Sequence, residues 1–370
     1  MLKAYKYRIY PDAVQKEQLA KTFGCVRFVY NYYLEKQKVC YEEKQAFLSR
    51  IDCNNDLNRV LKTENPWLRE VDKFALTNAV FHLNAAYQKF FREKAGYPKF
   101  KSKHSHYDSY TTNFTNGNIK ALFEANRIQL PRLGKVRARL HRSFEGRIKS
   151  ATVSRNPADH YYVSVLVETA EEPPLPVNEN RIGIDMGLKE FLVDSNGRHI
   201  ENPKPLAAYE KKLIREQRKL AHKKHGSKNW EKQRKKTARF HEKIKNIREG
   251  FTDQLSARLV EENQTIISEK LQIRNMIKNH YLTKAIADAG WGNFLRKVEY
   301  KALWRGRTYH QIDPWYASSQ ICSCCGKKNP EVKLLSIRNW ECSCKAVHQR
   351  DENAAKNILR KGLEELNEVS

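Results

Sequence analysis

The sequence predicts an α/β multidomain protein, and three observations carry that expectation. Short alternating runs separated by turn residues fill 106–169. After residue 180, apolar runs that end in an acid are interleaved with long helical stretches. Five of the eight cysteines crowd into 322–344. The first pattern fits a small antiparallel barrel, the second a sheet with helices on it, and the third a metal-held hairpin.

Taken in order, residues 3–10 alternate charged and aromatic side chains and read as an edge or barrel strand stopped by Pro11. Asp12 then caps a helix in which Val14, Leu19, Phe23, Val26 and Val29 recur at roughly helical spacing. Gly24 interrupts that pattern, which suggests two helices at an angle. Ordinary packing of these helices is the favoured reading over a helix-turn-helix. A further helix is expected over 72–92, with Phe74, Ala75, Ala79, Val80, Leu83, Ala86 and Phe90 on its apolar face. Residues 97–103 follow as a basic loop holding two aromatic rings, Tyr97 and Phe100. Between 106 and 169, Asn116-Gly117, Gly134, Gly146 and Asn156-Pro157 punctuate strand-like segments such as 147–153 and 161–168. Glu171-Glu172-Pro173-Pro174-Leu175-Pro176 reads as a linker and marks a domain boundary.

Beyond it, strand-like runs at 181–185 and 191–194 are joined by a turn containing Gly187. The stretch 211–248 is strongly basic and helical, with His225-Gly226-Ser227 as a break between two helices. Only Glu216, Glu231 and Glu242 interrupt its positive charge, so it reads as a surface facing a polyanion. Helix continues to about Glu262, a strand is expected at 265–268, and another helix over 283–303.

Charge and the first residues narrow the partners. A net charge of +27, from 69 basic and 42 acidic residues, draws in polyanions, of which nucleic acid is the commonest large one. No apolar run is long enough to cross a bilayer, so a membrane is not an expected partner. The opening Met1 to Tyr10 lacks the apolar core of a secretory signal, and an intracellular, cytoplasmic protein is expected.

Two sets of side chains carry chemistry. Asp185 ends the apolar run Ile182-Gly183-Ile184, Glu269 ends Ile266-Ile267-Ser268, and Asp351 starts a helix just past the cysteines. Two strand-end carboxylates and one at a helix start converge when the strands are neighbours. Such a cluster is costly unless a cation neutralises it, and hard ions such as Mg²⁺ want oxygen ligands. Two ions about 4 Å apart would activate water and stabilise a leaving oxygen on phosphate. In the second set, Cys322-x-x-Cys325 followed by Gly326 is a zinc knuckle, which Cys342 and Cys344 complete as a tetrahedral sulfur site. Cys324 and His348 are the other candidate ligands. A closed site of this kind is structural, folding a hairpin whose strands lie within 334–340 and holding it beside Asp351.

These residues resemble the TnpB (OrfB) family of insertion-sequence proteins, relatives of the type V CRISPR effector nucleases. The resemblance runs through Tyr7–Pro11, Tyr97-Pro98-Lys99-Phe100-Lys101-Ser102, Gly183-Ile184-Asp185-Met186-Gly187 and Ser268-Glu269-Lys270-Leu271. It continues through Trp291-Gly292-Asn293-Phe294, Ser318-Ser319-Gln320-Ile321-Cys322 and Arg350-Asp351-Glu352-Asn353-Ala354-Ala355. It implies an RNase H-like (RuvC) nuclease domain over 180–316 and 348–370, interrupted by a zinc ribbon over 317–347. It also implies a β-barrel (wedge) domain over 1–10 and 105–172 that carries an inserted helical recognition lobe over 11–104.

By the same resemblance Asp185, Glu269 and Asp351 are the catalytic acids and bind Mg²⁺, while Cys322, Cys325, Cys342 and Cys344 bind Zn²⁺. The implied activity is RNA-guided cutting of DNA. The partners would be a guide RNA from the transposon end and double-stranded target DNA, the protein being nucleoid-associated and a monomer the favoured state. The alternative is a guided DNA-binding protein or transposase accessory that does not cut. Candidate walls for a guide–target duplex are 211–248, Lys99–Lys103 and Arg132–Arg142. Where the family often has Asp-Arg-Asp, this chain has Gln349-Arg350-Asp351, and its second cysteine pair is the shortened Cys342-x-Cys344.

Overall fold

The computed structural model describes residues 1–43, 46–93, 95–334 and 336–368. The chain divides into two compact units, Met1–Ala170 and Glu171–Ser370.

In the first unit, β1 (Leu2–Tyr10) leads into α1 (Ala13–Glu42). Asp12 caps α1 as its sequence position demands. Its carboxylate accepts the Gln15 N–H at 2.8 Å, and the Gln15 side chain returns the favour to the Asp12 N–H at 3.1 Å. The expected break at Gly24 does not occur, and α1 is one continuous helix. A glycine inside a helix costs about 1 kcal/mol. The buried row Leu19, Phe23, Val26, Val29, Tyr33 and Leu34 outweighs that cost. Three short pieces follow: α2 (Arg50–Asp56), a π-turn at Leu57–Leu61 that runs into α3 (Lys62–Glu64), and a 3-10 turn at Pro66–Glu70. Then α4 (Lys73–Glu93) packs against α1.

The strands of this unit are β2 (Asp108–Asn113), β3 (Lys120–Leu122), β4 (Arg127–Leu130), β5 (Gly134–Arg139), β6 (Arg147–Arg155) and β7 (Tyr161–Glu168). With β1 they form one seven-stranded antiparallel sheet in the order β2-β6-β7-β1-β5-β4-β3, which leaves β2 and β3 at its edges. β1 therefore sits in the middle of a sheet whose other members lie about a hundred residues later, and α1 to α4 are looped out between them. On β5, Val136 and Ala138 are buried while Lys135, Arg137 and Arg139 face outward, giving a basic stripe. The basic loop at 97–103 is pinned to α1: the Lys101 N–H donates to Asn31 at 2.8 Å, and the Asn31 amide donates to the Lys101 carbonyl at 2.9 Å.

In the second unit, β8 (Arg181–Met186), β9 (Glu190–Asp194) and β10 (His199–Glu201) make an antiparallel meander. Two long helices follow, α5 (Pro205–Ala221) and α6 (Lys228–Glu262). The break between them falls where the sequence places it. Gly226 has φ +77°, and the Ser227 hydroxyl caps α6 by accepting the Trp230 N–H at 3.1 Å. β11 (Thr265–Glu269) pairs parallel to β8, and β12 (Thr308–Ile312) pairs parallel to β11. The sheet order is β10-β9-β8-β11-β12.

Between β11 and β12 lie α7 (Ile273–Met276), α8 (Thr283–Ala289) and α9 (Trp291–Trp304). The single helix expected over 283–303 is in fact two. Gly290 ends α8 in the left-handed region at φ +70°, and a Cβ there would fall 2.8 Å from Arg248 Cδ. A small hairpin of β13 (Asn339–Glu341) and β14 (Val347–Gln349) precedes α10 (Arg350–Glu368). Its first strand begins at the end of the 334–340 segment expected from the sequence and its second lies beyond it, and Leu335 lies outside the described residues.

The helix α10 lies directly on the sheet, packed on β8, β11 and β12. Two glycines permit this approach. A Cβ on Gly183 would fall 2.2 Å from the Ala355 carbonyl oxygen, and one on Gly362 would fall 2.3 Å from Ile267 Cγ2. Ile267, Ile312 and Ile358 form the core beneath the helix.

One acid in the basic helices is structural. Glu216 of α5 is buried and accepts a hydrogen bond from Gln233 of α6 at 2.8 Å, with Lys236 at 3.1 Å. These contacts, Gln233 first, hold its carboxyl down at about 2. A depressed carboxyl stabilises the fold fully above the ordinary glutamate value of about 4.3, and that contribution is lost as pH falls through about 2. Glu216→Ala is expected to cost about 1–3 kcal/mol, because it strips partners from Gln233 and Lys236. Urea denaturation at pH 7 and pH 2 checks this: the difference between variant and parent should shrink at the lower pH.

Candidate metal centres

The sheet aligns two of the three acids found in the sequence. In the parallel ladder of β8 and β11, Ile184 faces Ser268, so Asp185 and Glu269, one residue further on, stand level near the C-terminal ends of adjacent strands. Asp351 stands in the first turn of α10, which crosses that sheet. The convergence is felt electrostatically. Desolvation, and then the negative charges of Glu269 and Asp351, raise the Asp185 carboxyl well above the usual carboxylate range, against a smaller opposing pull from Arg350. Burial also raises Glu269, and the Ser318 hydroxyl, which donates to it, pulls it back.

The three carboxylates are spaced more widely than the sulfur ligands. Among the described residues, the groups of three or more metal-ligating side chains whose atoms all lie within 4.8 Å of one another are built on cysteines. A pair of ions about 4 Å apart accommodates a wider set than one ion does, and the donors are all hard carboxylate oxygens, which fits divalent magnesium or manganese.

Several partners of these acids have no signal in the sequence. Arg338, just before β13, donates to both carboxylate oxygens of Asp351 at 3.0 and 3.1 Å. Asn353 and Asn357, one turn apart on the buried face of α10, hold the loop that carries Ser318 and Cys322. Asn357 donates to the Ser318 and Ile321 carbonyls at 2.8 and 2.6 Å, and Asn353 to Ile321 at 2.7 Å. Next to Asp351, Glu352 accepts from His199 across 3.0 Å, and His199 also meets Glu190 at 2.6 Å. Buried asparagines at i and i+4 on an otherwise apolar helix face are the one clue that was available beforehand.

The four cysteines close into a site of zinc dimensions. Cys322 and Cys344 sulfurs are 3.7 Å apart and Cys325 and Cys342 sulfurs 3.6 Å apart, with all four within 4.8 Å of one another. Ligands at about 2.3 Å in a tetrahedron stand about 3.8 Å from each other, so the shortened Cys342-x-Cys344 spacing still suits the ion. The backbone N–H of Cys344, ahead of the neighbouring thiols, pulls the Cys342 thiol down, while the hydrogen-bonded thiols around it push its partner Cys344 up. His348 is buried with Nε2 3.0 Å from the Cys322 sulfur and its ring 4.7 Å from that of Trp340. That places it as a hydrogen-bonding neighbour of a ligand sulfur, a common support for metal sites. Cys324 is exposed and forms a second group with Cys322 and His348.

Comparison with known proteins agrees over the full length. A family profile described as "Probable transposase" matches residues 164–280, one described as "Cas12f1-like, TNB domain" matches 291–358, and one described as "Helix-turn-helix domain" matches 1–46. Over that last segment the described residues hold β1 and one unbroken helix rather than two.

A protein of Streptomyces pristinaespiralis named "Putative RNA-guided DNA endonuclease" is 37% identical over 98% of this chain and 89% of its own. "Putative RNA-guided DNA endonuclease InsQ" of Escherichia coli K12 is 30% identical over 98% of this chain and 92% of its own. The solved complex of Cas12f1 with sgRNA and target DNA aligns over 97% of this chain and 99% of its own at 15% identity, with a TM-score of 0.38. The chain belongs to the TnpB (OrfB) family of insertion-sequence proteins. No helix among the described residues is long and apolar enough to cross a membrane.

Proposed function

We propose that the protein is an RNA-guided, Mg²⁺-dependent DNA endonuclease of a mobile insertion sequence, with Asp185, Glu269 and Asp351 as the acids of a RuvC-type centre. The observation that carries this reading is the raised Asp185 carboxyl on a strand level with Glu269, both charges and that of Asp351 acting on it. The names of the full-length relatives support it, as does a sheet in which two strands run parallel to the first of an antiparallel meander. Divalent ions held there would activate water and stabilise the leaving oxygen of an in-line displacement. The chain's own residues divide the remaining work. Ser318 fixes the orientation of Glu269, and Asn353 and Asn357 tie that loop to the helix bearing Asp351.

Zinc bound by Cys322, Cys325, Cys342 and Cys344 would hold the hairpin of β13 and β14 against that helix. We assign the nuclease domain to 180–316 and 348–370, the ribbon to 317–347, the wedge to 1–10 and 105–172, and the recognition lobe to 11–104. The basic surfaces offered to the guide RNA and the double-stranded target are 211–248, Lys99–Lys103 and Arg132–Arg142, with the protein in the cytoplasm at the nucleoid.

A second reading, a guided binding protein that does not cut, is favoured by the ion pair between Arg338 and Asp351, which in a silent site would neutralise that acid. Purifying the protein from its native locus and sequencing the accompanying RNA tests the guide. A discrete species with a variable end is expected, and its absence ends both guided readings. Supplying that RNA with Mg²⁺ and a plasmid library bearing varied flanking sequence then separates them: linearised plasmid supports the nuclease, binding alone the second reading.

A further inference from the structure

The pair between Arg338 and Asp351 has a geometry that bears on cation entry. A single guanidinium nitrogen faces both carboxylate oxygens, at 3.0 and 3.1 Å, so arginine takes an acceptor position on each oxygen. Backbone contacts fix both ends of the pair. The Arg338 carbonyl accepts the Arg350 N–H at 2.7 Å, and the next residues, Asn339 and Gln349, face each other in the hairpin ladder.

The side chain of Arg338 itself is free to leave: it is 46% exposed, against 23% for Asp351. Arg350 contrasts with it, being buried and donating to the Leu334 carbonyl at 3.1 Å. One arginine is thus a fixed strut, and the other is a cation in the place a metal would take. Guanidinium stays charged at every working pH, so only displacement can clear the carboxylate.

We propose that Arg338 is a positioning residue that occupies Asp351 in the metal-free protein, yields it to the divalent ion, and turns to a phosphodiester oxygen of the bound DNA strand. The inference rests on Asp351 being a metal ligand, as proposed above. Two cations compete for one carboxylate, and the second anion to arrive, the phosphate, gives the displaced guanidinium a new partner. Metal and DNA binding are then coupled, and linkage makes the coupling reciprocal. The centre would hold its ions weakly until a strand is in place.

The test uses the full-length protein loaded with zinc and guide, and titrates Mn²⁺ by calorimetry or by the electron paramagnetic signal of the free ion. Without DNA, Arg338→Gln should bind Mn²⁺ about tenfold more tightly than the parent, as expected for removing a charge-assisted competitor. A short single-stranded phosphorothioate oligonucleotide should tighten Mn²⁺ binding to the parent and have a much smaller effect on the variant. Arg338→Lys, which keeps the charge but holds it on a mobile stem, should fall between, and its zinc content reports that the ribbon is folded. Unchanged or weaker Mn²⁺ binding by Arg338→Gln, in protein with full zinc, overturns the proposal. Asp351→Asn separates the two possible failures. If it leaves Mn²⁺ binding untouched, the ligand assignment falls as well; if it weakens binding while Arg338→Gln changes nothing, only the exchange of cations is lost.

Discussion

Asp185→Asn protein, loaded with guide and Mg²⁺, is expected to cut matched plasmid on the order of 10³-fold more slowly than the parent or worse, while binding it equally well. Glu269→Gln should behave alike. The reason lies in the charge arrangement. Asp185 leaves the central strand beside Glu269 and within the field of Asp351, so replacing its charge removes a ligand without removing a wall.

The same substitution has an expected effect on stability that is independent of turnover. Burial and neighbouring negative charge raise the Asp185 carboxyl in the folded, metal-free protein. A raised carboxyl favours the fold below the ordinary aspartate value of about 3.9, and this stability is lost as pH rises through the raised value. Asp185→Asn should therefore unfold at a higher temperature than the metal-free parent at neutral pH. It should also show a flatter pH dependence. Added Mg²⁺ should stabilise the parent and leave the variant nearly unmoved. A variant that cuts at the parental rate, or that loses binding along with cutting, would contradict the assignment.

Loss of zinc should be as damaging by a different route. Structural zinc sites carry an apparent binding free energy of about 10–16 kcal/mol, more than a small hairpin of two three-residue strands can supply from its own contacts. Cys322→Ser is expected to lower zinc content to a small fraction of the parent and to open the segment 317–347 to proteolysis. Cutting should fall with it, because the hairpin and the loop at Ser318 both lean on α10 near Asp351. Cys324→Ser, at the exposed cysteine outside the four-sulfur group, should keep its zinc and its activity. Metal analysis of the two purified variants decides the matter: full zinc in Cys322→Ser would refute the ligand set.

What the sequence made legible follows the range of the interactions involved. Strand ends and helix caps are local, and Asp185, Glu269 and Asp12 announce themselves through the few residues beside them. The cysteine site was equally plain because its ligands come in close pairs. Glycine was a weaker guide. Gly226 broke its helix with a positive φ, Gly24 stayed helical because its neighbours bury a continuous apolar row, and Gly290 split a helix that read as one. The groups around the acids were not legible. Ser318 meets Glu269 from 49 residues away, Asn357 reaches Ser318 across 39, and Arg338 finds Asp351 only through the hairpin fold. The segment at 50–70 carries no sustained period, and its short helical pieces were not foreseen.

The seating of α10 on bare glycine has a consequence for how the protein comes into being. Two of the proposed acids emerge before the ribbon, while the third travels on a helix that follows the whole of it. Until that helix docks, Ile267 and Ile312 lack the cover that Ile358, Leu359, Leu363 and Leu366 supply. A nascent or prematurely terminated chain therefore lacks both its full acid set and a sealed interior.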